Sequence, residues 1–437
     1  METPICDFVR AYAESKAIRL HMPGHKGKNL LGLEALDITE IDGADSLYEA
    51  SGIIQRSEEN ASRLFGCPTF YSTEGSSQCI RAMLYLSMLH AKEQGKRPVI
   101  AAGRNAHKTF LTGAALLDLD VRWLYPKGGS YLSCDLTPEE VEAVLEKEAP
   151  TAVYLTSPDY LGNVADIAGI AKVCHRHGAI LLVDNAHGAY LKFLQPSRHP
   201  MDLGADLCCD SAHKTLPMLT GGAYLHCRLQ FRDWAKNALA LFGSTSPSYL
   251  ILQSLDGANP ILAALANRLK DFVPSVEAVK EKLADKGYTL YGREPLKITI
   301  SAKPYGYTGR ELAQKLLEGN IVSEFADPDF LVLMLTPEIG QAALDALEAA
   351  LLSISRKSPV LEQPPAFHSG RRICSPREAM LSPMEQVPVE QSEGRILAAA
   401  TVGCPPAVPI VVSGERIDAH AVSCFQYYGI THCSVMK

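Results

Sequence analysis

Apolar residues change their spacing several times along the chain, and each change marks an element. Residues 3–19 can form one short helix. A loop follows at His21-Met22-Pro23-Gly24-His25-Lys26-Gly27-Lys28, where one proline and two glycines forbid helix and cationic side chains cluster. Residues 37–52 read as an acidic, turn-rich arm, and residues 53–65 as a helix ending near Gly66. Ser72-Thr73-Glu74-Gly75-Ser76-Ser77 then opens a segment in which Ile80, Met83, Leu84 and Met88 keep helical spacing. From residue 99 the pattern alternates. Short apolar runs at 99–102, 121–124, 152–156, 179–183 and 207–209 are separated by amphipathic segments near 106–118, 138–148 and 166–177. Strands that alternate with helices predict an α/β fold, a mostly parallel central sheet covered by helices.

Gly221 and Gly222 lead into one more strand, to His226. Residues 231–290 read as helical and carry the chain into a smaller domain. There, strands at 297–302 and 331–336 and helices near 308–317 and 338–352 predict a small α/β lobe. The Pro- and Ser-containing segment 357–376 reads as a linker, and the remainder as a compact α+β tail. The expected division is an N-terminal segment and arm (1–52), a large domain (53–255), a small α/β domain (256–360), and a linker with a C-terminal domain (361–437). No internal repeat is present.

Composition narrows the class. With 437 residues, 47% hydrophobic and 21% charged, the chain is an ordinary globular protein large enough for about two or three domains. Its net charge of -7 is spread without long basic or acidic runs, which argues against nucleic-acid binding. No stretch is apolar and long enough to span a membrane, and the N-terminus, with Asp7, Arg10, Glu14, Lys16 and Arg19, has no signal-peptide core. Twelve scattered cysteines without a CxxC pair read as reduced thiols of a cytoplasmic protein. Cys174-His175-Arg176-His177 has metal-ligand residue types. On a helix, however, only Cys174 and His177 share a face, and no second pair follows at zinc spacing, so no metal is expected.

In parallel sheets ligands gather at the carboxyl ends of the strands. Past those ends lie Arg104-Asn105-Ala106-His107-Lys108, Ser157-Pro158-Asp159-Tyr160, Asp184-Asn185-Ala186-His187-Gly188, and Ser211-Ala212-His213-Lys214. Any one of these reads as a turn or a cap; the set points to one edge with histidines, a carboxylate and a lysine. A partly desolvated lysine on a turn between two buried strands favours its neutral amine, which attacks an aldehyde to form an imine. Pyridoxal phosphate (PLP) would use the whole set. Lys214 would hold its aldehyde. Gly75, Ser76 and Ser77 at a helix start, with Ser211 and His213, would hold its phosphate. Asp184 would keep the pyridine nitrogen protonated, His107 would stack on one ring face, and Ala186 would lie under the other.

The ordered series HMPGHKG, DITE with DGADSL, STEGSSQ, RNAHKT, TSPDYLG, DNAHGAY, SAHKT, and the tail GRI, CPPAVP and SGERI resembles the bacterial ornithine/lysine/arginine decarboxylases over nearly the whole length. The resemblance implies the aspartate-aminotransferase fold (PLP fold type I). It also implies PLP as cofactor, Lys214 as the Schiff-base lysine, and catalytic roles for His107, Asp184 and His187, the last near the cofactor's hydroxyl side. Further implications are a homodimer or higher oligomer with shared active sites, and an arm at 37–52 that helps complete a neighbour's site. The chain is similar to the short class without the N-terminal wing domain, for which no decamer is expected. It departs from the family at Asn185, where many members have Glu, and at Gly221, where Gln is frequent. Cys404 and Ala407 also replace the Tyr and Gly of the usual YPPG.

The activity so implied is alpha-decarboxylation of a basic amino acid, arginine first, then lysine or ornithine. Asp42, Asp45 and Glu415 are candidates to read the distal cation. The alternatives are another PLP reaction, such as aminotransfer, or a non-catalytic PLP-binding regulatory protein.

Overall fold

The computed structural model describes residues 1–126, 130–366, 369–400 and 406–437. Cys404 and Pro405 of the CPPAVP run lie outside the described residues. The fold is α/β. Strands β1 (Thr69–Ser72), β2 (Val99–Gly103), β3 (Asp120–Leu124), β4 (Ala152–Thr156), β5 (Ile180–Asp184), β6 (Leu207–Asp210) and β7 (Ala223–Cys227) form one seven-stranded sheet. Its order is β1-β7-β6-β5-β4-β2-β3. β5 and β6 pair in parallel, as β2 does with both β3 and β4, whereas β7 runs antiparallel to β1 and β6. Residues 211–222 join β6 to β7 and hold only the four-residue helical turn Ala212–Thr215, not the full helix that usually makes a parallel crossover.

By contact density the chain divides into two units, Met1–Lys96 with Ile180–Leu269, and Arg97–Ala179 with Lys270–Lys437. In the first, helix Pro4–Glu14 ends earlier than residue 19, where Lys16 turns to φ +56°. Its first turn is anchored by the fully buried Asp256, which accepts from Ile5 N at 3.0 Å, Cys6 N at 2.9 Å and the Ser57 hydroxyl at 2.6 Å. Helix Ile53–Phe65 ends at Gly66 in the left-handed region (φ +72°), as expected of a C-terminal glycine. The long helical stretch expected after residue 231 is three helices: Arg232–Ala240, Tyr249–Leu262 and Leu265–Lys286.

In the second unit, helices Lys108–Leu116, Pro138–Glu148 and Ile167–Arg176 fall where the amphipathic spacing put them. Cys174 is buried, whereas His177 Nε2 faces Glu142 Oε1 at 3.3 Å. The small lobe is a four-stranded antiparallel sheet. To the expected strands Lys297–Ser301 and Phe330–Met334 it adds Thr289–Tyr291 and Phe325–Ala326, which are too short to show alternation. The tail is α+β: strands Met384–Pro388, Leu397–Ala399 and His432–Met436 with helix Ala419–Tyr427, around Val389, Leu397, Ile417, Phe425 and Val435. Among the described residues no helix is long and apolar enough to cross a membrane.

Candidate active site

Because β5 and β6 are parallel with Asp184 opposite Cys209, the turns that follow them leave the same edge of the first unit. Residues 185–188 form one turn, and Ala212–Thr215 is a single helical turn that carries Lys214. Lys214 Nζ lies 3.0 Å from His187 Nε2. An ammonium has only donors, so it donates to an unprotonated Nε2. His187 is 5% exposed.

Asp184 is 2% exposed. Its Oδ1 accepts from Ala186 N at 3.2 Å and from the Cys209 thiol at 3.6 Å. The Cys209 contact was not foreseen, since a cysteine inside an apolar run reads as core. The strand register, with Cys209 opposite Asp184, is what makes it a neighbour.

The residues expected to hold a phosphate lie at the first turn of helix Gly75–Glu93. Glu74 is the N-cap and makes no side-chain cap, so Ser76 and Ser77 lie within the first turn rather than capping it. Ser211 Oγ donates to Ser76 Oγ at 2.6 Å, which joins the helix start to the Lys214 turn. Gly75 (φ +68°) donates its N–H to Gly221 O at 2.8 Å. A Cβ on Gly75 would meet His213 Cε1 at 4.0 Å, so the imidazole lies beside this turn. His213 Nδ1 donates to Gly222 O at 2.9 Å, which leaves Nε2 as its second polar atom. Burial, with Lys214 adding to it, lowers the His213 pKa against the pull of Gly222. The first unit thus brings Lys214, His187, Asp184 and Ala186 to neighbouring strand ends, and Gly75, Ser76, Ser211 and His213 to one helix start.

His107 belongs to the second unit. It caps helix Lys108–Leu116, and its Nδ1 accepts from Thr109 N at 3.1 Å, so the proton of a neutral ring sits on Nε2. Two of the acids named for substrate recognition have other work. Asp45 is buried and accepts from the N–H groups of Ser46, Ser51, Gly52 and Ile54 at 2.7–3.2 Å, fixing the arm to the next helix. Glu415 is buried 3.6 Å from Arg104, whose Nη1 and Nη2 also donate to Pro409 O and Ile410 O at 2.8 and 2.9 Å. Asp42 is exposed. Ala407, which accepts from Lys108 N at 2.8 Å, adopts φ +56°, a region that favours the glycine usual at this place in the resembled family.

The donor set fits pyridoxal phosphate: an amine with a histidine partner, a buried carboxylate one strand away, and serine hydroxyls at a helix start. Comparison with known proteins agrees. The family model described as Orn/Lys/Arg decarboxylase, major domain, matches residues 3–299, and the C-terminal domain of that family matches residues 373–434. An arginine decarboxylase of Bacillus subtilis is 28% identical over 97% of this chain and 92% of its own length. A second protein of Bacillus subtilis, described as uncharacterized protein YaaO, is 30% identical over 97% of this chain and 93% of its own. Among solved structures, the lysine decarboxylase LdcF of Francisella novicida shares the fold, with a TM-score of 0.81 at 16% identity over 100% of this chain and 81% of that one. The chain belongs to the PLP-dependent Orn/Lys/Arg decarboxylase family, enzymes that decarboxylate basic amino acids.

Proposed function

We propose that the protein catalyses alpha-decarboxylation of arginine, with lysine and then ornithine as the next candidates, giving the corresponding amine and carbon dioxide. The observation that carries the reading is the Lys214–His187 pair one strand from the buried Asp184. The similarity to the arginine decarboxylase of Bacillus subtilis favours arginine. When bound, pyridoxal phosphate supplies a sink for the electron pair left at the alpha carbon as carbon dioxide departs. Lys214 is the amine that holds the cofactor's aldehyde, with His187 keeping that amine oriented. Asp184 keeps a proton on the ring nitrogen, because a close carboxylate favours a cation. Ser76, Ser77 and Ser211, with Gly75 and His213, hold the phosphate. His107 would be the residue to stack on the ring, and Ala186, small enough to lie against it, would leave it room.

The family is typically oligomeric; for this chain the proposal is a homodimer with shared sites, the arm at 37–52 helping to complete the neighbour's. A cytoplasmic setting suits cysteines that stand as free thiols. The test is carbon dioxide release from arginine, lysine and ornithine measured side by side on the holoprotein. Arginine is expected to give the highest kcat/KM. Release from none of the three, or amine exchange that depends on a keto acid, would end the reading.

A further inference from the structure

Next to the strand ends that carry Asp184 and Lys214, the first unit holds a polar cluster without solvent. Asp210, the last residue of β6, is 0% exposed, as are Asn185, His199 and His226. Asn185 Nδ2 donates to Asp210 Oδ1 at 2.7 Å. His226 Nε2 and His199 Nε2 donate to Oδ2 at 3.1 and 3.2 Å. His199 Nδ1 accepts from Met201 N at 3.4 Å, which leaves its proton on Nε2, and the Thr69 hydroxyl lies 2.9 Å from His226 Nδ1. A carboxylate stripped of water needs this many donors to remain ionised. Burial alone would raise its pKa, yet His199 and His226 hold the Asp210 carboxyl far below the usual range.

His199, Cys208 and Asp210 also present three metal-ligand atoms close together. The same carboxylate is already engaged at Oδ1 by the Asn185 amide and at Oδ2 by both imidazoles, donors that satisfy it without a cation. Turning the amide over would set its oxygen against the carboxylate, so the donor assignment is fixed by charge.

Asn185 is tied to β6 at two points. Its backbone N donates to Cys209 O at 2.9 Å, and its side chain donates to Asp210. It directly follows Asp184, and Asp210 stands four residues before Lys214. We propose that Asn185 and Asp210 are positioning residues, a buried brace that sets the spacing between the Asp184 carboxylate and the Lys214 amine. The inference rests on the proposed roles of those two residues, which address opposite ends of one rigid ring. A planar cofactor cannot adjust to a site whose ends drift, so groups behind the contacts must hold them to a fraction of an ångström. The brace also gives a physical reason for an amide, not a carboxylate, at position 185. A carboxylate at 185 would face that of Asp210 with no water between them, and like charges so placed cannot both ionise. In this chain the two positions therefore form an amide–carboxylate pair that tolerates change only together.

The test uses the holoprotein and three variants: Asn185→Ala, Asn185→Asp and the double exchange N185D/D210N. Asn185→Ala is expected to weaken cofactor binding roughly tenfold, to change the visible circular dichroism of the bound cofactor, and to lower kcat roughly tenfold with KM within about twofold, the pattern of a lost orientation. Asn185→Asp is expected to be at least as damaging, and the double exchange to restore all three readouts to within about threefold of wild type. Wild-type cofactor affinity, dichroism and kcat in Asn185→Ala overturn the brace, whatever its melting temperature. A folded double variant no better than Asn185→Asp alone overturns it too, as does stoichiometric zinc in the purified holoprotein. If the double variant does not fold, Asn185→Ala decides alone. Lys214→Ala separates the two levels: visible absorption retained in that variant defeats the cofactor reading itself, whereas its loss beside wild-type Asn185 variants defeats only the brace.

Discussion

Lys214 Nζ and His187 Nε2 stand 3.0 Å apart, each on the turn that follows one of two adjacent parallel strands. The pair gives the lysine a fixed direction before any ligand arrives. Lys214→Ala is therefore expected to yield a folded protein without the visible absorption of the holoprotein, and with no measurable turnover. A spectrum of the purified variant checks this, and an unchanged absorption band would mean that the cofactor is held elsewhere.

Asp184 has one oxygen engaged by Ala186 N and the Cys209 thiol, and almost no access to water. A carboxylate so placed can keep a ring nitrogen protonated. Asp184→Ala should retain part of its cofactor yet lose activity by roughly 10²-fold or more, the scale of removing one preorganised charge-stabilising group. Cofactor content and kcat measured on the same sample check the split. Full activity would discredit the proton-holding role.

Much of this was legible in the sequence because its signals are local. The alternating runs from residue 99 marked the strands that build the sheet, and Gly66 marked the end of a helix. The placement of Lys214 and Asp184 at neighbouring strand ends could be read because both follow apolar runs closely, at a distance the strand itself fixes. What could not be read depends on register and on partners far along the chain. Asp45 was indistinguishable from an acid facing a substrate until its oxygens were found filled by backbone N–H groups. Glu415 looked available until Arg104, over three hundred residues earlier, was found beside it. Cys209 became Asp184's neighbour only through the pairing of β5 with β6.

Asp327 gives a dependence on pH whose sign can be worked out. Its Oδ1 accepts from Asp329 N and Phe330 N, both at 2.7 Å, in the turn between two strands of the small lobe. Burial, against those two hydrogen bonds, raises its pKa from 3.8 to about 6. The native state thus keeps a proton that the unfolded chain has released. The stability this contributes is complete below pH 3.8 and is lost as pH rises through about 6. Asn keeps the accepting oxygen and cannot ionise. Asp327→Asn should be close to neutral near pH 3 and should stabilise near pH 8 by on the order of 2–3 kcal/mol, from 1.36 kcal/mol per pKa unit. Melting temperatures at the two pH values check this; an equal shift at both would remove the ionisation argument.

Gly221 is the residue where the resembled family often has glutamine, and its backbone shows why this chain has glycine. It sits at φ +99°, and an added Cβ would lie 2.9 Å from both Thr73 O and Ile251 Cδ1. The first of these is backbone and cannot swing away. Its own carbonyl accepts Gly75 N at 2.8 Å, so displacing residue 221 also displaces the start of helix Gly75–Glu93, where the phosphate would be held. Gly221→Ala should cost about 1–3 kcal/mol, the scale of a non-glycine residue held in a strained backbone region. It should also weaken cofactor binding, because the first-turn N–H groups of that helix move with residue 221. Thermal melting and cofactor titration of the same variant separate the two effects. A lower melting temperature with wild-type cofactor affinity would show that the turn supports the fold and not the phosphate seat.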